Sequence, residues 1–205
     1  MKRIWLVLLC VGIVACDSQT APTVNEDDVP TAEITTNEPR TDNEGTMVML
    51  GGLKSVAPAS WLKQQPSNRL RKFQFQIPKV KGDNANAEIV IFYFGKGGGG
   101  GVDANLGRWK GQFEAPKGKK ISDVASVKKF KVGDSQVTML DLYGTYLYKF
   151  PPFSPRAKII RKENYRRFGV IFETEEGPYF ITFTGPKKTV DSNAKAFDSW
   201  IKGFK

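Results

Sequence analysis

The chain of 205 residues contains no histidine, and its two cysteines, Cys10 and Cys16, both lie near the start. Without imidazole, Ser-His-Asp and Cys-His nucleophilic systems are excluded, as is every zinc site that uses a histidine ligand. With no thiol after Cys16, disulfides cannot brace the remaining residues, and a fold there is held by its apolar core alone. Long apolar runs are also scarce. Only Ile4–Ala15 is continuous, and its twelve residues fall short of the roughly 20 that a membrane-spanning helix needs.

The residues on either side of that run give it meaning. Met1-Lys2-Arg3, the apolar core and a small residue before Cys16 have the layout of a secretory signal. Ile13-Val14-Ala15-Cys16 resembles the lipobox of bacterial lipoproteins, with Ala15 as the small residue before the cleavage point. Cys10 follows Leu9, which is too large for that position. The resemblance implies a signal peptide over 1–15 and a lipid-modified Cys16 as the first residue of the mature chain. It places the protein in the bacterial cell membrane, lipid-anchored and facing the periplasm from the inner or the outer membrane. Asp17 resembles the inner-membrane retention signal of enterobacterial lipoproteins.

Charge divides the remainder. From Cys16 to Thr46 there are eight carboxylates and a single base, Arg40, among Ser, Thr, Asn and Pro. Such a segment cannot bury enough apolar surface to offset its ordering entropy. Residues 16–46 are therefore expected to form a disordered acidic tether with an r.m.s. reach of about 30 Å. Residues 47–205 carry 28 Lys/Arg against 13 Asp/Glu, a net charge of +15, and are long enough for one domain with a proper core. A strongly basic domain suggests an anionic partner, either an anionic lipid or an envelope protein; the alternative is a charge excess that serves solubility without a partner.

Within that domain the periodicities are mixed. Phe73, Phe75 and Ile77 alternate on one face of a strand, and 87–94 reads as a more fully buried central strand. The glycine-rich stretch 95–101 comes next, and then Leu106, Trp109 and Phe113 at helical spacing with Asp103 as the expected N-cap. Residues 127–132 and 136–144 form one expected hairpin, and 167–174 and 179–184 another. Between the hairpins lie an aromatic, proline-rich loop (146–155) and a basic cluster (156–167). Its aromatics either meet a membrane or an anionic ligand, or pin an insertion onto the core. From about Thr189, Val190, Ala194, Phe197, Ile201 and Phe204 form one apolar helical stripe.

This order of elements resembles the Mog1/PsbP-like fold. The residues that carry the resemblance are Trp61, Phe73-Gln74-Phe75, the helix with Asn105 and Trp109, and Tyr179–Pro186 leading into the helix with Phe197. It implies an α+β domain in which a mostly antiparallel sheet is covered by helices. Members of that fold are mostly binding or assembly factors, which points away from an enzyme.

Gly95, Gly97 and Gly100 satisfy the spacing G-x-G-x-x-G, but a run of five glycines satisfies many such patterns, and no Gly-Lys-Ser/Thr comes after it. No cofactor and no metal are expected, and export argues against a nucleic-acid partner. Among carboxylates, Asp141 and Glu88 lie in apolar strands and are the candidates for the alternative reading, a carboxylate-dependent envelope hydrolase. The leading expectation is a membrane-anchored, non-enzymatic binding or assembly module of the cell envelope. Cys16 is its one modified site.

Overall fold

The computed structural model describes residues 45–151 and 154–205. The leader, Cys16 and most of the acidic segment lie outside the described residues, as does Phe153. The domain opens with a hairpin of β1 (Thr46–Leu50) and β2 (Leu53–Ala57). An eight-stranded sheet comes after it. It contains β3 (Leu62–Gln64), β4 (Arg71–Ile77), β5 (Ala87–Tyr93), β6 (Phe113–Glu114), β7 (Ala125–Val132), β8 (Ser135–Phe150), β9 (Lys158–Thr174) and β10 (Gly177–Pro186). Three helices accompany it: α1 (Val102–Lys110), α2 (Ile121–Val124) and α3 (Lys187–Lys202).

The strand order is β3-β4-β5-β10-β9-β8, and both β6 and β7 pair with the outer edge of β8. All pairings are antiparallel. The class is therefore the expected one: α+β, with a mostly antiparallel sheet covered by helices.

Strand alternation builds a core on each face of the sheet. Ile89, Ile91, Val137, Met139, Phe168, Val170, Phe172, Ile181 and Phe183 point to one side, beneath α3 and the β1–β2 hairpin. Leu140, Leu142, Ile171 and Phe180 point to the other, beneath α1 and α2. Trp61 anchors the first layer. Its ring lies 5.3 Å from Trp200 and 6.4 Å from Phe75, both edge-on, and its indole N–H donates to Asn193 Oδ1 at 3.3 Å. Truncating such a ring typically costs about 3–5 kcal/mol.

The start of α3 is fixed from a distance. Its N-cap is Pro186, which offers no side-chain acceptor. Asp83, from the β4–β5 loop, instead accepts from the Thr189 backbone N–H at 2.8 Å and from its hydroxyl at 2.6 Å. The helix therefore begins two residues before the expected Thr189. On α1 the N-cap is Gly101 and Asp103 sits inside the first turn, while Phe113 belongs to β6 rather than to the helix. The expected aromatic loop is likewise different. Tyr146–Phe150 is the end of the long strand β8, and Lys158–Lys162 is the beginning of β9.

Candidate functional site

The glycine stretch is a structural loop. The buried Asn105 side chain donates to the carbonyls of Gly99, Gly100 and Gly101 at 2.9, 3.2 and 2.9 Å. A phosphate cradle needs backbone N–H groups to converge, whereas here carbonyls converge on an amide. Gly99 holds φ +83°, and a Cβ there would overlap the Phe180 ring. Its glycine is explained by packing and backbone conformation.

The candidate carboxylates serve as acceptors for arginine. Glu88 accepts from Arg71 at 2.9 Å and from Gln74 at 2.8 Å, and its side chain is 45% exposed rather than inward-pointing. Asp141 takes a bidentate bond from Arg166, with Nε at 2.8 Å and Nη2 at 2.7 Å. The same guanidinium donates from Nη1 to Asp191 at 2.7 Å, and Lys187 reaches Asp191 at 2.6 Å. Burial works to raise the Asp191 carboxyl, but the bonds from Lys187 and Arg166 prevail and hold it below its ordinary value. Asp141 and Asp191 are thus two acceptors sharing one cation.

Arg167 belongs by sequence to the basic cluster 156–167, but it is no surface base. It is only 5% exposed. Its Nε donates to Thr184 Oγ1 at 2.8 Å and its Nη1 to Gln112 Oε1. The guanidinium lies 4.8 Å from the Tyr146 ring centre and 5.3 Å from that of Phe113. Burial pushes it below its usual value; Tyr146 opposes that shift and Arg108 adds to it. No carboxylate bonds to it among the described residues.

Beside α3 the sheet is incompletely covered. A groove of about 690 Å³ runs between the helix and the β7–β8 hairpin. Its floor is apolar, with Met139, Phe168 and Phe197 buried and Phe130 half-buried. Lys128 and Lys195 stand on its rim, exposed and without a carboxylate partner among the described residues, while Lys129, paired with Thr138, turns to the opposite face of the sheet. Lys202 is engaged by Asp198 at 2.7 Å.

A second surface is formed by the ends of β8 and β9. The Gly144–Tyr165 and Tyr146–Lys162 pairs bracket an irregularity at which Asn164 adopts φ +55°. This is a bulge, and asparagine is among the few residues that accept the left-handed region there. Beyond it, Tyr148–Phe150 and Lys158–Ile160 pair only with each other among the described residues. Tyr146 stacks on Phe113 and Tyr165, at 5.2 and 6.1 Å, and so pins the base of this arm to the core. Phe150, Ile159 and Ile160 are exposed by 53, 56 and 45%. Of the aromatics expected to pin an insertion onto the core, Tyr146 packs there and Phe150 does not.

No family model matches the chain, and no curated protein matches it. Similar solved structures include cyanobacterial PsbP (CyanoP) from Synechocystis sp. PCC 6803, at 8% identity and TM-score 0.46 over 84% of this chain and 98% of that one. The Ran-binding protein Mog1p of Saccharomyces cerevisiae is similar at 10% identity and TM-score 0.42, covering 78% of this chain and 94% of that one. PA94 from Pseudomonas aeruginosa, a protein of unknown function, is similar at 13% identity and TM-score 0.40, again covering 78% and 94%.

Sequence reasoning misses the groove and the buried guanidinium. Lys128 belongs to a visible basic run, but Lys195 lies far along the chain and joins it only through the packing of α3. Arg167 does carry a signal. It stands at the start of the apolar run Phe168–Phe172, where strand alternation turns the side chain inward. Among the described residues no group of His, Cys, Asp or Glu is arranged to hold a metal ion, and no helix is long and apolar enough to cross a membrane.

Proposed function

We propose that this chain is a lipid-anchored, non-enzymatic binding module of the bacterial cell envelope. Its ligand is an acidic, amphipathic segment of a partner protein, seated between α3 and the β7–β8 hairpin. The observation that carries this reading is the groove, with an apolar floor and two rim lysines, Lys128 and Lys195, without carboxylate partners among the described residues. A helix with one apolar stripe and glutamate flanks would complete the layer that α3 leaves open and place carboxylates against the rim. The lipobox supports the anchor. The arginine-bound carboxylates and the lack of histidine support a binding role over catalysis.

A labelled helical peptide with a leucine stripe and glutamate flanks tests the ligand, with its glutamine counterpart as control. Fluorescence anisotropy with the full chain should show binding that weakens with salt, and Lys128→Glu with Lys195→Glu should weaken it about tenfold or more, whereas Lys129→Glu, on the opposite face, should not. Equal affinity for the glutamine peptide, or no effect of the substitutions, would overturn the groove as the site. The anchor is tested separately. Cys16→Ser should lose the acyl mass and leave the membrane fraction, and retention of both would refute lipidation.

A further inference from the structure

The β8–β9 arm has a composition unlike the rest of the domain. Between Thr145 and Lys162 there is no Asp or Glu, and there are five bases: Lys149, Arg156, Lys158, Arg161 and Lys162. Two of them are engaged near the base of the arm. Arg161 bonds Glu114 at 2.6 Å, and Lys162 lies over the Tyr148 ring at 4.5 Å. Lys149 and Lys158, at the tip, have no carboxylate partner among the described residues.

The distribution of apolar side chains over the two faces decides what could cover the tip. Residues directly opposite each other in an antiparallel pair share a face, and successive residues alternate. Phe150 pairs with Lys158 and Tyr148 with Ile160, so those four share one face, while Ile159 pairs with Lys149 on the other. Both faces therefore combine an exposed apolar side chain with a lysine. A sheet face that docks on a protein is apolar on one side and polar on the other. A tip that is apolar and basic on both sides suits surroundings that enclose it.

We propose that this arm inserts its tip into the headgroup and upper acyl region of a membrane containing anionic lipid. The proposal stands on the arm's geometry and not on the groove or the Cys16 anchor. From Tyr148 to Phe150 the strand advances about 7 Å, so the two rings lie at different depths along the arm. Tyr148 then sits at the level of the headgroups, where amphipathic rings are favoured. Lys149, and Lys158 opposite Phe150, reach back along their stems to lipid phosphates, each adding to the attraction.

The test places an indole on each face in turn. The full chain carrying Phe150→Trp, or separately Ile159→Trp, is reconstituted with mixed phosphatidylglycerol–phosphatidylcholine vesicles whose acyl chains are brominated. The unsubstituted chain is subtracted; of its tryptophans, Trp61, Trp109 and Trp200 are buried at 2, 4 and 4% exposure. Both introduced indoles should shift to the blue, be quenched by bromine and become shielded from iodide. Lys149→Gln with Lys158→Gln should lower the insertion equilibrium about thirtyfold. Quenching of only one face would overturn the proposal in favour of a protein-docking surface. Unchanged emission and iodide access on both faces would overturn it whether or not the chain is retained on the vesicles, and retention alone reports on the anchor. Equal quenching in pure phosphatidylcholine would overturn the requirement for anionic lipid.

Discussion

Arg167 offers the sharpest test of how this domain is held together. A buried guanidinium forfeits several kcal/mol of hydration. Against that stand two hydrogen bonds, to Thr184 and Gln112, and two aromatic faces, Tyr146 and Phe113. Hydrogen bonds to a charged group contribute about 1.5–3 kcal/mol each and desolvated cation–π contacts about 1–2 kcal/mol each, so gain and cost are of similar size. The charge itself should then add little to stability, while the side chain's volume should add much. Arg167→Met keeps most of the volume and removes the charge, and Gln112 and Thr184, both half-buried, can turn to water. Its free energy of unfolding in urea should lie within about 1 kcal/mol of the parent, or above it. Arg167→Ala leaves a cavity between the two rings and should lose about 2–4 kcal/mol. If the methionine variant loses as much as the alanine variant, the charged contacts outweigh desolvation and the reasoning is wrong.

Two further predictions concern the neighbouring elements. Asn105→Ala leaves the three glycine carbonyls without their amide donor; about 1–3 kcal/mol should be lost, with faster hydrogen exchange at Gly98–Gly101. Asp191 has its carboxyl held below its ordinary value in the folded state, so its ion pair stabilises fully above the unfolded pKa and fades as pH falls through the folded one. The urea midpoint should therefore drop below about pH 4, and Asp191→Asn should flatten that drop.

Much of the sheet is legible because its strands are long and alternate. The Phe73–Phe75–Ile77 pattern marks β4, and the two hairpins mark the cores of β7–β8 and β9–β10. The β1–β2 hairpin is not recognisable beyond its apolar start. Its turn, Gly51-Gly52, is a hairpin signal, but the inner face reads Val48, Leu50, Ser55 and Ala57, too short and too mixed to stand out. The outer ends of β8 and β9 escape a sequence reading because Pro151, Pro152 and Pro155 suggest a loop, while the pairing of Tyr148 with Ile160 depends on two strands finding each other across that interruption. Asp141 is visible as an odd carboxylate in an apolar strand, yet its partner Arg166 lies 25 residues on. The groove needs α3 to be placed in space, which no local pattern supplies.

The bulge at Asn164 also separates two regimes of inheritance. On the core side of Gly144, the strands β8 and β9 are paired with further strands, so a one-residue insertion would turn apolar side chains to the wrong face. From Tyr148 on β8 and up to Ile160 on β9 the strands pair only with each other among the described residues. Adding two residues to each would lengthen the arm by about 7 Å and restore the same facing pattern, with the core untouched. The arm can therefore grow or shrink in such steps without renegotiating the fold, and its reach is adjustable independently of the groove.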